Sequence, residues 1–175
     1  LHNNRHSFPT RRSSDLPFLA WLEASGIGQL MRSSGVWTYG LVNLAHILGI
    51  AMLFGPILLL DLRLLGVWNS VPLSALSRPC VTLAATGFVL AVASGVPMLA
   101  VKATEYIGNP FLLLKFPAIA LALVNVALVH RSAAWRAHRH RALTRRERLR
   151  LAVGAGLSLA FWLAAVTGGR MIGYW

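Results

Sequence analysis

The chain is short of acid: five of its 175 residues are Asp or Glu, against 17 Lys and Arg. With so few carboxylates, acid–base catalysis has few candidates. Paired carboxylates, a Ser-His-Asp set and a phosphate-cradling glycine loop are all missing from the sequence, so the chain reads as a protein that is not an enzyme by itself. Cys80 is the one cysteine, which excludes an intrachain disulfide and a cysteine metal cluster. Charged residues make up 13% of the chain, where a soluble domain has roughly a quarter. Hydrophobic residues reach 56%. These deficits exclude an ordinary soluble domain and leave a membrane protein.

The stretch HSFPTRRSSDL, His6 to Leu16, resembles the translation of a sequencing-library adapter, so residues 1–16 are set apart from the fold as a non-native segment. Arg5, Arg11, Arg12 and Asp15 go with it, which leaves 14 basic and four acidic residues and a formal charge of +10. Residues 17–175 are then read as one membrane domain.

Four stretches, at about 37–60, 81–101, 110–129 and 151–172, have the roughly 20 apolar residues that a helix needs to cross the hydrocarbon of a bilayer. Backbone groups in lipid must be satisfied within the segment, so these are helices. Short connections between them favour antiparallel neighbours. The fold class expected is an all-α transmembrane four-helix bundle. Residues 17–35, too short and too polar to span, are expected to form one interfacial helix or a packing lid.

Orientation follows from the third connection, 130–150, in which eight arginines from Arg131 to Arg150 face only Glu147. The positive-inside rule puts that loop and the loop at 61–80 in the cytoplasm, and both chain ends outside. Trp37, Tyr39, Tyr106, Tyr174 and Trp175 then form an outer aromatic belt, with Trp68 and Trp135 at the inner one. A loop tethered at both ends to membrane helices is an anchor for anionic lipid rather than a nucleic-acid site. His138 and His140, two residues apart within the arginines, point to different sides of a helix and are poor metal ligands.

Each span carries a small or polar stripe. On the first, Tyr39, Asn43 and His46 share a face; on the second, Gly87, Ala91 and Gly95 with Ser94 beside them; on the third, Lys115, Ala118, Ala122 and Asn125. On the fourth the stripe is Gly156, Ala160, Thr167 and Arg170, with Ala164 and Gly168 alongside. At a rise of about 1.5 Å per residue, His46 lies roughly 14 Å and Lys115 roughly 8 Å below the outer helix ends. Asn43, His46, Ser94, Lys115 and Arg170 therefore define the candidate ligand or cofactor pocket, in the outer half of the bundle, since ionisable residues within a span mark function by default. Haem b is the cofactor to test, with His46 as its metal ligand and Lys115 and Arg170 facing its propionates. His130, the remaining buried histidine, lies roughly 16 Å deeper than His46, too far for one bis-histidine haem. The alternative is a structural or assembly subunit whose stripes fix helix packing, in a homo-oligomer or a membrane complex. Asp61 and Arg63, at the inner end of the first span, read as boundary charges.

The phrases HILGIAMLFGPILLLDLRLLG (46–66), NPFLLLKFPAIALALVN (109–125) and GRMIGYW resemble a family of uncharacterised bacterial four-span integral membrane proteins. That resemblance implies a bacterial inner membrane and four helices. AHILG also resembles a phrase of copper-resistance domains of the CopD type and of b-type cytochrome subunits, which implies His46 alone as a ligand.

Overall fold

The computed structural model describes residues 16–174, and every regular element among them is helical. Residues 1–15, with nearly all of the adapter-like stretch, and Trp175 of the expected outer belt lie outside the described residues. The elements are α1 (Leu16–Ala24), α2 (Gly26–Ser33), α3 (Gly35–Leu64), α4 (Leu73–Ala100), a 3₁₀ turn (Ala103–Tyr106), α5 (Pro110–Arg131), α6 (Ala133–Ala137) and α7 (Arg145–Met171), with a last 3₁₀ turn at Ile172–Tyr174. Helices α3, α4, α5 and α7 are long and apolar enough to cross a membrane. The chain is thus a multi-pass membrane protein built as an all-α bundle.

Local chemistry sets the helix ends. Asn109 caps α5 by accepting from the amides of Phe111 and Leu112 at 2.9 and 3.3 Å, and Pro110 follows at the first position, where a missing N–H costs nothing. Thr144 and Glu147 form a reciprocal capping box at the start of α7. The first connection is shorter than expected. Helix α3 continues through Asp61 to Leu64, and α4 starts at Leu73, so that a turn of residues 65–72 replaces the expected loop at 61–80. The Arg63 guanidinium secures this turn, donating to the Val71 carbonyl at 2.6 Å and to Asn69 at 3.1 and 3.2 Å. Polar end residues thus extend the helices beyond their apolar stretches.

Close packing of α3 on α4 needs glycine. A Cβ on Gly87 would lie 2.4 Å from the Leu53 amide nitrogen, and one on Gly49 would lie 2.6 Å from that of Ala91. The same device joins α5 to α7, where a Cβ on Gly168 would come within 3.1 Å of the Phe111 carbonyl oxygen. Helix α3 also packs on α7, whereas α4 and α5 form no comparable seam among the described residues. The core consists of Leu53, Ala84, Ala118, Ala122, Trp162 and Ala165. Towards the turn at 65–72 a second cluster contains Leu60, Cys80, Ala134, Trp135 and Leu151.

Two expectations are corrected by this packing. The inward face of α7 is Leu151, Gly154, Ala155, Ser158, Trp162, Ala165 and Gly168, while Gly156, Ala160, Thr167 and Arg170 are exposed. Small residues occur on both sides of α7, and burial of the Trp162 indole decides which side turns in. Trp135 is no interfacial belt residue either: α6 folds beneath the bundle and buries it to 6% exposure.

Residues 16–33 form two short helices in place of the single one expected, broken at Ser25, whose hydroxyl caps α2 at the Gly28 amide. Leu22 packs on Ala100 and Ala103. The Glu23 carboxylate accepts from the Thr104 amide and hydroxyl at 2.8 and 2.7 Å, and these two bonds hold its pKa below the ordinary carboxylate value. Phe18, Trp21, Ile27 and Leu30 remain exposed. The segment is a lid on one side and an apolar surface on the other, as an interfacial element requires.

Candidate functional site

The sequence-derived residues are only partly brought together. His46 stands in the α3–α4 seam, with Nδ1 2.9 Å from the Ala91 carbonyl and 3.2 Å from the Ser94 hydroxyl. A carbonyl only accepts, so Nδ1 carries the proton and Nε2 keeps its lone pair in the neutral ring. The ring lies against Gly95, where a Cβ would be 2.8 Å from Cε1. Lys115 is half-buried, its chain running along α7 over Gly168 and Gly169. Asn43 is half-buried on α3, one turn from His46. Arg170 is exposed and turns to Tyr174, donating to its hydroxyl and stacking 4.8 Å from the ring centroid. Among the described residues, no group of three or more His, Cys, Asp or Glu side chains is arranged to hold a metal ion.

The other half of the bundle contains a cavity of about 220 Å³. Its apolar wall comes from α3, α4, α5 and α7, with Leu53, Ala84, Phe88 and Val129 among the lining residues, and Trp135 of α6 also lines it. Three polar side chains that line it have a buried atom without a hydrogen-bond partner: Asp61 Oδ2, His130 Nε2 and Trp162 Nε1. A buried polar atom left unpaired costs roughly 1–3 kcal/mol. Three such groups on side chains that line one cavity are therefore a feature to be explained. Ser158 and Asn125 complete the polar lining; Ser158 stands beside the Asp61 carboxyl, and Asn125 Nδ2 donates to the Gly154 carbonyl at 2.9 Å.

Each orphan has a definite sense. His130 Nδ1 lies 2.9 Å from the Val126 carbonyl, so it donates there and leaves Nε2 as an acceptor in the neutral ring. The indole N–H of Trp162 only donates. Asp61, read from sequence as a boundary charge, instead sits on the cavity side of α3 at 6% exposure, while Arg63 turns outward to the 65–72 turn. The reason is helical periodicity: two residues apart on a helix, the two charges point in different directions.

Beneath the cavity, the Trp135 ring lies between two histidines, 4.6 Å from the centroid of His130 and 4.7 Å from that of His138. His138 fastens this plug to α4. Its Nε2 is 2.9 Å from the Ser77 hydroxyl, and its Nδ1 donates to the Trp135 carbonyl. Burial pushes the His138 pKa down. On the flank, the cavity-lining residues Ala85 of α4 and Leu123 of α5 are exposed, which places an opening between the two helices that share no seam.

The fold and this cavity define a class, a four-span membrane bundle with a mostly apolar chamber near one end. Within that class the family is explicit: residues 18–175 match the model described as "Family of unknown function (DUF6644)", and the chain belongs to that family. No curated protein and no solved structure matches it.

Proposed function

We propose that the chain is a membrane-embedded binding protein for a small, mostly apolar molecule, bound in the cavity between α3, α4, α5 and α7. The observation that carries this reading is that three side chains lining one chamber, Asp61, His130 and Trp162, each have a buried polar atom without a partner. A mostly apolar pocket with a few converging polar groups is the usual form of a small-molecule site. Its volume exceeds the ~150 Å³ of an engineered apolar cavity in another protein that takes up benzene. The cavity then lies at the cytoplasmic end of an inner-membrane protein, with the arginines of 131–150 on anionic lipid below it.

Bromobenzene tests this directly, because a bound heavy atom quenches the emission of Trp135 and Trp162. In detergent-purified protein, a saturable quenching component is expected, absent from an Ala84→Leu variant in which the added side chain fills the chamber. Equal, unsaturable quenching in both proteins contradicts the reading and leaves a chamber filled with water.

A second reading places the ligand at Asn43, His46, Ser94, Lys115 and Arg170. It is favoured by His46, whose donation to the Ala91 carbonyl leaves Nε2 as the free ligating nitrogen, as in haem and metal sites where a carbonyl fixes the other ring nitrogen. An absorption band near the Soret region that is lost in His46→Ala would establish it; a colourless, folded protein would discard haem.

A further inference from the structure

Resting on the cavity reading, we infer that the ligand is a small lipophilic amine that enters from the bilayer between α4 and α5, with its ammonium on Asp61 and its apolar body against Phe88, Trp135 and Trp162. Three observations converge on this class.

The first is the charge left open. A carboxyl in a mostly apolar chamber keeps its charge only where a cation and hydrogen bonds compensate its lost hydration, and otherwise takes up a proton. Among the described residues no cation pairs with Asp61: the ion pairs are Lys102–Glu105 and Arg141–Glu147. Arg63, the nearest cation in sequence, is spent on Asn69 and Val71.

The second is the sense of the orphans. Asp61 Oδ2 and His130 Nε2 both accept in their ordinary states, so two of the three vacant positions call for a donor, and an ammonium has three N–H bonds to give. Phe88, Trp135 and Trp162 also line the chamber, and aromatic surroundings are those in which a desolvated cation is held best.

The third is access. Trp135 closes the chamber towards the 132–144 connection. The exposed lining residues, Ala85 of α4 and Leu123 of α5, belong to two membrane-crossing helices that share no seam, on a flank that a bilayer would cover. A ligand arriving by that route is one that partitions into lipid.

Fluorine NMR of detergent-purified protein with two probes separates this inference from the reading beneath it. The probes are 4-fluorophenethylamine, a cation at pH 7, and 1-fluoro-4-propylbenzene, its neutral counterpart. The amine is expected to bind at least tenfold more tightly to the wild type. In Asp61→Asn that preference should shrink to within threefold with the neutral probe still bound, and in Asp61→Glu it should persist. Equal saturable binding of both probes to the wild type overturns the amine and leaves the cavity reading standing; no saturable binding of either overturns both. The wild-type ratio decides the matter even where a variant misfolds.

Discussion

Gly49 of α3 and Gly87 of α4 stand face to face: a Cβ on Gly87 would be 2.8 Å from the Gly49 carbonyl oxygen, and one on Gly49 would be 3.1 Å from that of Gly87. Both contacts are with backbone, which cannot rotate away. Gly87→Ala must therefore push α3 from α4, at a cost of about 1–3 kcal/mol by the measure of overpacked cores. The expected outcome is a lower thermal midpoint in detergent, while Gly156→Ala, with open space around the new methyl and alanine's better helix propensity, does not lower it.

Ala84→Leu should have the opposite sign. Ala84 is buried, lines the chamber and packs in the Leu53–Trp162 cluster. Extra methyl groups there fill space rather than displace neighbours, so stability is expected to rise by about 0.5–2 kcal/mol. Differential scanning in detergent reads the change, and a falling midpoint would mean that the chamber is too narrow for the side chain.

Acid should loosen the two ends of the bundle in separate pH windows. The folded pKa of His138 lies below its ordinary value of 6.5 because burial disfavours the charged ring. The unfolded chain therefore takes up the proton first, and stability present above pH 6.5 is lost as the pH falls towards the folded value. Between pH 7.5 and 5.5 the thermal midpoint of the wild type should drop more than that of His138→Gln.

Glu23 acts lower on the scale. Its folded pKa lies below 4.5, held there by the Thr104 amide and hydroxyl, so its contribution is present above pH 4.5 and lost as the pH falls through the folded value. Hydrogen exchange of the Leu19–Leu22 amides, corrected for the intrinsic rate, should speed up below pH 4 in the wild type. In Glu23→Gln it should already be fast at pH 7.

Much of the fold is legible in the sequence because lipid imposes local rules. Helix length, the Gly87–Ala91–Gly95 face of α4 and the Ala118–Ala122–Asn125 stripe of α5 all follow from periodicity and residue size, and the structure buries Gly87, Ala91, Ala118, Ala122 and Asn125. The inward face of α7 does not follow, because small residues line both of its sides and only the partner helices choose between them. The chamber is less legible still. Asp61 looks like a boundary charge until α3 is seen to run past it, and Trp135 looks like a belt residue until α6 tucks it under the bundle. His130 lines the chamber and His46 does not, and the residues that line it with His130, Asp61 and Trp162, come from distant parts of the chain. Asp61, the one acid of α3, is the local signal that points to the chamber.

The most direct test of the chamber as a binding site is the indole N–H resonance of Trp162 in protein labelled with ¹⁵N-tryptophan, followed while phenethylamine is added. The account predicts that this signal moves and saturates, because Trp162 lines the occupied space and its N–H has no other partner, while the signal of Trp37, 89% exposed at the far end of α3, stays in place. A Trp162 signal that never moves, or one that drifts with that of Trp37 without saturating, would contradict it.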